Sequence, residues 1–222
     1  MLDTYKFIEK YKRISIIGME KNVGKTTLLN KLIADIGTNK KLGLTSIGRD
    51  GEDIDVVTNT DKPRIYVRRG SIIATGRNCL AKCDITKEIL YVTDFTTPMG
   101  SIVIVRALSD GYVDIAGPSY NKQVKIVVEL MEKFGSEISI VDGALGRKST
   151  AISDVSEATI LSTGAALSLD MLKVVEETKK TVYFLKLDEA EKNIKDRVEE
   201  LRDKKAVLFY KNGEVAILEV DN

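Results

Sequence analysis

A segment near the start of the chain, residues 13–36, constrains the fold more than any other. Its mostly apolar run Ile14–Ile17 ends at Gly18 and predicts a short buried strand, and residues 25–36 have the periodicity of a helix with one apolar face. The apolar face of this predicted helix consists of Leu28, Leu29, Leu32, Ile33 and Ile36. Gly37 follows, and we expect this glycine to end the helix in a left-handed conformation.

The loop between this strand and this helix, Gly18–Gly24, has the composition of a phosphate-binding loop, and we name it the glycine loop. It leads into a helix start where backbone N–H groups and a dipole equivalent to about +0.5 charge attract an anion. We expect Lys25 to reach the β- and γ-phosphates of a nucleotide and the Thr26 hydroxyl to bind Mg²⁺. The predicted nucleotide contacts are Gly18, Lys21, Asn22, Val23, Gly24, Lys25, Thr26 and Thr27.

The spacing differs by one residue from the usual phosphate-loop pattern, G-x-x-x-x-G-K-[ST]. Gly18 is one residue early, and Met19 stands where the pattern has glycine. An incidental glycine turn is the alternative, but the flanking strand and helix are the context that a phosphate loop requires. Lys21 is either a phosphate contact, from its own or a partner chain, or an exposed lysine.

The composition excludes several classes of function. The 222 residues are 43% hydrophobic, which suits one domain, and Lys+Arg 34 balance Asp+Glu 33, which gives no reason to expect nucleic acid or an anionic membrane as a partner. Because the chain has no histidine, Ser-His-Asp catalysis and most zinc catalysis are excluded. The start of the chain lacks the apolar core of a secretory signal, and no run approaches about 20 apolar residues, so we expect a cytoplasmic protein.

Two cysteines, Cys79 and Cys83, form the pattern C-x-x-x-C. They would share one face of a helix, but a tetrahedral metal site needs two more ligands. We interpret them as core or incidental cysteines, with a metal shared between two chains as the alternative.

Apolar strands alternate with amphipathic helices, which predicts an α/β fold with a mainly parallel sheet and helices on both faces, forming a single P-loop domain over residues 1–222. One predicted helix has Ser119 as its N-cap and ends at Gly135. The other predicted strands lie at 42–47, 138–141, 158–161 and 181–187, the other predicted helices at 170–179 and 189–204, and a hairpin around Asn212-Gly213 closes the chain.

Residues 62–118 differ in sequence pattern from the segments on either side of them. Short β-branched runs occur at 65–68, 71–74, 89–92 and 102–105. Asp110-Gly111 is a hairpin signal, and a further predicted strand follows it at 112–115. We interpret this region as an antiparallel, β-rich insertion in the parallel sheet rather than as a separate domain.

Charged residues follow two of the predicted parallel strands. Asp142 comes directly after strand 138–141, where a carboxylate binds Mg²⁺ directly or through water; a turn or helix-cap aspartate is the alternative. Asp50 and Glu52 are candidates for a second metal ligand or a water-positioning residue, with a solvated turn as the alternative. Arg49 and Arg147 either stabilise transferred charge or are solvated. Ligands of parallel sheets lie beyond the strand carboxyl ends, so we expect these groups to converge on the glycine loop.

Two of these segments resemble a known family. Gly18-Met-Glu-Lys-Asn-Val-Gly24-Lys-Thr26 has the spacing of the G-x-x-x-x-x-G-K-T loop of dethiobiotin synthetase, and Val141-Asp-Gly-Ala-Leu-Gly146 is similar to that family's V-E-G-A-G-G segment. The wider resemblance is to the SIMIBI class of P-loop NTPases, which includes the cobyrinic acid synthases. It implies a nucleotide-dependent α/β protein, often a homodimer, with Lys25 and Thr26 as phosphate and Mg²⁺ contacts and Asp142 as a metal ligand. The chain departs from the class at Glu20, where the class has an additional lysine.

The segments LTSIGRDGE, IAGPS and DGALGRKS are also similar to an accessory P-loop protein encoded beside cobalamin-dependent lysine 5,6-aminomutase. This resemblance implies a partner enzyme that the chain helps to reactivate. The predicted function is therefore Mg²⁺-dependent binding and hydrolysis of a nucleotide, with Lys25 and Asp142 as catalytic residues, in the service of a partner enzyme. ATP is favoured over GTP because the chain has no Asn-Lys-x-Asp element. The alternatives are an ATP-dependent synthetase of the dethiobiotin type and a nucleotide-binding switch without hydrolysis.

Overall fold

The computed structural model describes residues 4–48, 64–143, 155–188, 190–201, 206–210 and 212–218, and the chain divides into two compact units, Met1–Thr178 and Lys179–Asn222. The helices are α1 (Thr4–Ile8), α2 (Lys25–Ile36), α3 (Arg77–Leu80), α4 (Asn121–Lys133), α5 (Met171–Leu185) and α6 (Lys192–Glu200). The strands are β1 (Arg13–Gly18), β2 (Leu42–Ser46), β3 (Ile65–Val67), β4 (Ile72–Gly76), β5 (Lys87–Thr97), β6 (Gly100–Ala107), β7 (Gly111–Val113), β8 (Ile138–Asp142), β9 (Ala158–Ser162), β10 (Ala206–Phe209) and β11 (Val215–Leu218).

A seven-stranded sheet with the order β5-β6-β4-β2-β8-β1-β9 lies at the centre of the first unit. Strands β4, β2, β8, β1 and β9 are parallel, whereas β6 is antiparallel to β4 and β5 is antiparallel to β6. The fold is therefore α/β with a mainly parallel sheet and additional antiparallel strands. Every residue of β2 and β4 is buried, because apolar layers cover both faces of the sheet at this point.

Helices α2 and α4 pack on opposite faces of this sheet. Adjacent residues of β4 show it, because successive side chains of a strand point to opposite faces. Ile73 belongs to the apolar cluster that contains Leu32 of α2, and Ile72 belongs to the cluster that contains Val127 of α4. The predicted inward face of α4 is confirmed, with 0% exposure of Val124, Val127, Val128 and Met131.

The helix ends agree only in part with the expectations from the sequence. Gly135 follows α4 with a φ of 104°, a left-handed conformation that favours glycine. The left-handed conformation expected for Gly37 is wrong, since its φ is −66°. Glycine is needed there for space instead, because a β-carbon would stand 2.5 Å from the carbonyl oxygen of Ile33. The N-cap of α4 is Tyr120 rather than Ser119.

The region interpreted as an insertion, described from residue 64 onward, is largely part of the central sheet. β4 pairs in parallel with β2, and β6 and β5 extend the same sheet in antiparallel orientation. β3 and β7 form a separate antiparallel ribbon, so the strand after Asp110-Gly111 pairs with β3 and not with β6. A short apolar run such as β4 has the same pattern in a parallel as in an antiparallel sheet, so its pairing was not readable from sequence.

The second unit corrects one strand prediction and confirms another. The strand predicted at 181–187 is wrong, because α5 continues through this β-branched and aromatic run to Leu185. Helix α6 is shorter than the predicted helix at 189–204. The predicted terminal hairpin is confirmed by the antiparallel pairing of β10 with β11. Within the described ranges, no helix has both the length and the apolar character needed to cross a membrane.

Candidate functional site

The carboxyl ends of four parallel strands meet at one edge of the sheet. In the register of β1 with β8, Ile16 lies beside Asp142, and Asp142 lies beside Ser46 of β2. On the other side of β1, Gly18 lies beside Ser162 of β9. The backbone N–H of Met19 continues this pairing by donating to the carbonyl of Ser162 at 2.8 Å. The glycine loop therefore leaves the sheet with Asp142 on one side and β9 on the other.

The glycine loop ends in a backbone conformation suited to an anion. Asn22 and Gly24 have φ values of 59° and 85°, both left-handed, and α2 begins with Lys25 directly after them. A left-handed residue followed by right-handed helical residues turns successive N–H groups toward one side, which makes a concave site for an anion. Asn22 is the one non-glycine residue with positive φ in the described ranges, and asparagine is among the few residue types that adopt this conformation readily.

The side chain of Lys25 folds back across the loop. Its Nζ donates a 3.3 Å hydrogen bond to the backbone carbonyl of Glu20. A β-carbon on Gly18 would stand 2.8 Å from this Nζ and 2.7 Å from Cγ2 of Val23. Gly18 therefore leaves room for the side chains of Val23 and Lys25, and a larger residue there would require both of them to shift.

The other predicted contacts of the loop differ in their exposure. Lys21 and Thr27 are exposed, whereas Val23 and Thr26 are half-buried. The backbone N–H of Lys21 donates to Oε1 of Glu20 at 2.9 Å, so the carboxylate caps the loop locally. The side chain of Thr26 lies in the first turn of α2, directly after Lys25.

Asp142 is the carboxylate that the fold brings to the glycine loop. It is half-buried at the end of β8, and its Oδ1 atom is buried. The backbone fixes its place, because Gly143 N–H donates to the Ile16 carbonyl at 2.8 Å and Ile47 N–H donates to the Asp142 carbonyl at 2.9 Å. Asp50, the second predicted metal ligand, lies outside the described residues, as do Arg49, Glu52 and Arg147.

The oxygen donors at this edge fit Mg²⁺ better than a softer metal. Thr26 offers a hydroxyl and Asp142 a carboxylate, and Mg²⁺ is usually held by one or two carboxylates together with water and substrate phosphates. The described part of the chain contains no group of three or more His, Cys, Asp or Glu residues that could hold a metal ion by themselves. A Mg²⁺ ion at this site would therefore depend on the phosphates for the rest of its ligands.

The sequence-based site did not include a segment that crosses the carboxyl ends of β2 and β4, residues 114–118, which we name the strap. At β4, Ala116 N–H donates to Oγ1 of Thr75 at 2.9 Å. At β2, Gly117 N–H donates to Oγ of Ser46 at 2.9 Å, and Gly48 N–H donates to the carbonyl of Pro118 at the same distance. The signal in the sequence was the Gly-Pro pair, because glycine is the residue that allows such a close approach of two backbones.

The side chain of Asn30 connects α2 with the β3–β7 ribbon. Its Nδ2 donates to the carbonyl of Arg64 at 3.3 Å, and its Oδ1 accepts the backbone N–H of Tyr66 at 3.2 Å. The ribbon exposes an aromatic pair, in which the rings of Tyr66 and Tyr112 pack edge to face with centroids 5.3 Å apart. The guanidinium of Arg64 lies 5.6 Å from the ring centroid of Tyr112. The helix that starts at the glycine loop is thus bonded to an exposed aromatic surface.

The two cysteines lie in and just after α3, which follows the carboxyl end of β4. Cys79 is buried, Cys83 is half-buried, and the Sγ of Cys83 donates to the carbonyl of Cys79 at 3.2 Å. Burial raises the pKa of the Cys83 thiol, which disfavours the thiolate form that binds metals. This geometry favours the interpretation as core cysteines.

In comparisons with protein-family models, with curated proteins and with solved structures, no match to this chain was found. Its function is therefore inferred from the sheet edge where the glycine loop, the start of α2, Lys25 and Asp142 come together.

Proposed function

We propose that the chain is a P-loop NTPase of the SIMIBI type, which binds ATP with Mg²⁺ at the glycine loop and hydrolyses it. One observation carries this proposal: the left-handed turn before α2, the Lys25 ammonium and the Asp142 carboxylate occupy neighbouring positions at one sheet edge. Each of these features also occurs singly in proteins that bind no nucleotide. Together they supply the fixed positive charge, the backbone donors and the metal ligand that phosphoryl transfer needs.

The residues of the loop have separate roles in this proposal. Lys25 exchanges the neutral carbonyl of Glu20 for charged phosphate oxygens, which form stronger, charge-assisted hydrogen bonds. The N–H groups that follow Gly24 donate to the same phosphates. Thr26 and Asp142 would hold Mg²⁺, which neutralises charge on the β- and γ-phosphates. Lys21, exposed on the loop, is free to approach the nucleotide of its own chain or that of a second copy in a homodimer.

The test is phosphate release by the purified chain with ATP and Mg²⁺. Lys25→Ala removes the fixed charge and abolishes turnover, and Asp142→Asn lowers turnover by about a hundredfold or more because it weakens the metal site. Lys31→Ala is the matched control, since Lys31 lies on the same helix and pairs with Asp35 four residues later. Nucleotide binding that persists without any phosphate release would contradict hydrolysis and favour the switch.

We further propose that hydrolysis serves a partner enzyme, with the cobalamin-dependent aminomutases as the candidate class. Support comes from the hydrogen bonds that join the helix of the glycine loop to the exposed pair Tyr66 and Tyr112, a type of residue that is enriched at protein interfaces. The assay is recovery of activity by a lysine 5,6-aminomutase that has lost activity during turnover. Recovery should require both the chain and ATP with Mg²⁺. Phosphate release that is strongly stimulated by a small carboxylic acid instead would favour the synthetase alternative.

A further inference from the structure

Strand β5, at the opposite end of the sheet from β9, leaves apolar side chains uncovered. Ile89 is 64% exposed and Val92 is 54% exposed. In the register with β6 these two residues lie beside Val105 and Val103, which are buried in the same apolar cluster as α2. They therefore belong to the face of the sheet on which α2 packs. At β5 that face is not covered by any described helix beyond the four residues of α3.

An open hollow lies between α3 and β5 on this face. It has a volume of about 480 Å³ and is lined by Arg77, Leu80, Ala81, Lys87 and Ile89. Its lining combines three apolar residues with the two cations Arg77 and Lys87. We name the exposed Ile89 and Val92, together with this hollow, the β5 patch.

Among the described residues, the hollow of the β5 patch is lined by two cations and by no carboxylate. Arg77 and Lys87 form no ion pair within the described part of the chain. The acidic residues closest to them in sequence are already engaged, because Asp84 pairs with Arg64 at 2.7 Å and Glu88 pairs with Arg106. A complementary surface therefore has to bring its own carboxylates together with apolar side chains.

We propose that the β5 patch docks an acidic, amphipathic segment of a partner protein. Its apolar side chains would cover Ile89 and Val92, and its carboxylates would pair with Arg77 and Lys87. A second copy of this chain does not fit, because a two-fold contact through the patch would place the cations of both copies close together. The proposal goes beyond nucleotide binding and does not depend on it, since four strands separate β5 from β1 in the sheet.

The experiment pans a display library of random peptides against the full chain and measures the affinities of the enriched peptides by fluorescence anisotropy. We expect the enriched peptides to combine Asp or Glu with large apolar residues. Their affinity should fall about tenfold or more in Arg77→Glu/Lys87→Glu and in Ile89→Asp, and it should decrease as salt is added. Lys122→Glu/Lys125→Glu and Ile126→Asp, at exposed positions of α4, are the matched controls and should bind like the unmodified chain.

Three results would overturn the proposal. The first is enrichment of peptides without acidic residues, or of none at all. The second is equal binding of the peptides to the patch variants and to the unmodified chain. The third is a dimer in sedimentation experiments that Ile89→Asp separates into monomers, which would make a second copy the occupant. Circular dichroism and urea unfolding of each variant show that the fold is retained, so that a loss of binding is assigned to the patch.

Discussion

Gly117 approaches Ser46 so closely that a β-carbon on Gly117 would stand 1.8 Å from the Ser46 carbonyl oxygen. No rotation of a side chain relieves this contact, because both atoms belong to the backbone or are fixed by it. The strap can therefore cross the end of β2 only with glycine at this position. Ser46 is the last residue of β2, at the sheet edge where we place the nucleotide.

We predict that Gly117→Ala destabilises the chain by about 3 kcal/mol, because the backbone of the strap or of β2 must move. The measurement is the midpoint of urea unfolding. Gly164→Ala is the control, since a β-carbon there has nothing within 4 Å and the residue is not left-handed. Equal midpoints for the two variants would show that the strap relaxes without penalty.

Gly18→Ala tests the loop rather than the fold. A new β-carbon would crowd Val23 and the Lys25 ammonium. Because Lys25 is flexible, we expect the loop to deform while the chain stays folded, with an affinity for ATP and Mg²⁺ that falls at least tenfold. Titration of a fluorescent ATP analogue measures this, with Gly164→Ala again as the control. An unchanged affinity would argue against phosphate binding at Gly18–Gly24.

Asn30→Ala removes both hydrogen bonds that join α2 to Arg64 and Tyr66, and it should destabilise the chain by about 1 kcal/mol, since each exposed bond contributes modestly. The more specific measurement is the hydrogen exchange of a single backbone amide. Hydrogen exchange of the Tyr66 amide should speed up by about tenfold, because Asn30 is the acceptor of this N–H. Lys31→Ala, the next residue of α2, should change stability by only a few tenths of a kcal/mol and leave the exchange of Tyr66 as it was. If Lys31→Ala speeds up the exchange of the Tyr66 amide and Asn30→Ala does not, Asn30 is not the residue that joins α2 to the ribbon.

Glu137 gives the chain a pH dependence on the acid side. Its carboxylate accepts the backbone N–H of Lys41 at 2.9 Å and pairs with Lys40 at 3.0 Å, and the first of these contacts is the main reason that its pKa is lowered. A lowered pKa in the folded state means that the ionised form stabilises the fold. This stabilisation is present above the ordinary glutamate pKa of about 4.3 and is lost as the pH falls through the lower folded value.

Glu137→Gln should therefore be less stable than the unmodified chain at neutral pH, and the difference should shrink toward zero on acidification. Urea unfolding at a series of pH values provides the measurement. Glu176→Gln, at an exposed position of α5, is the control and should show no such convergence. A difference that stays constant with pH would assign the effect to packing instead of charge.

Local patterns predicted the segments whose neighbours in sequence are also their neighbours in space. The strand, glycine loop and helix at 13–36 and the buried face of α4 are such cases, because periodicity and glycine placement act within one or two turns. The pairing of β4 was not readable, since its apolar run carries no information on which strand lies beside it. The run at 181–187 shows the same limit in another form: its β-branched residues favour a strand by propensity, but a helix already begun at Met171 continues through it.

Part of the candidate site could likewise be identified from the sequence. Lys25, Thr26 and Asp142 stood out because each has a fixed position relative to a strand or a helix end. The strap and the Asn30 bonds were missed, since they depend on contacts between segments far apart in the chain. Gly37 was misread for a related reason, because its requirement for glycine comes from the space beside Ile33 and not from its own dihedral angles.

The position of β1 in the sheet also bears on how the chain is made. Its neighbours β8 and β9 come from the second half of the chain, so β1 leaves the ribosome before either of them. Until then the apolar residues of β1 have no strand to pair with and offer an exposed edge to other unfolded chains. The site where we propose that a nucleotide binds is thus completed late in synthesis, after the contacts of longest sequence separation have closed. A nucleotide that binds there would act as a final check on folding, because it stabilises only chains that have reached this point.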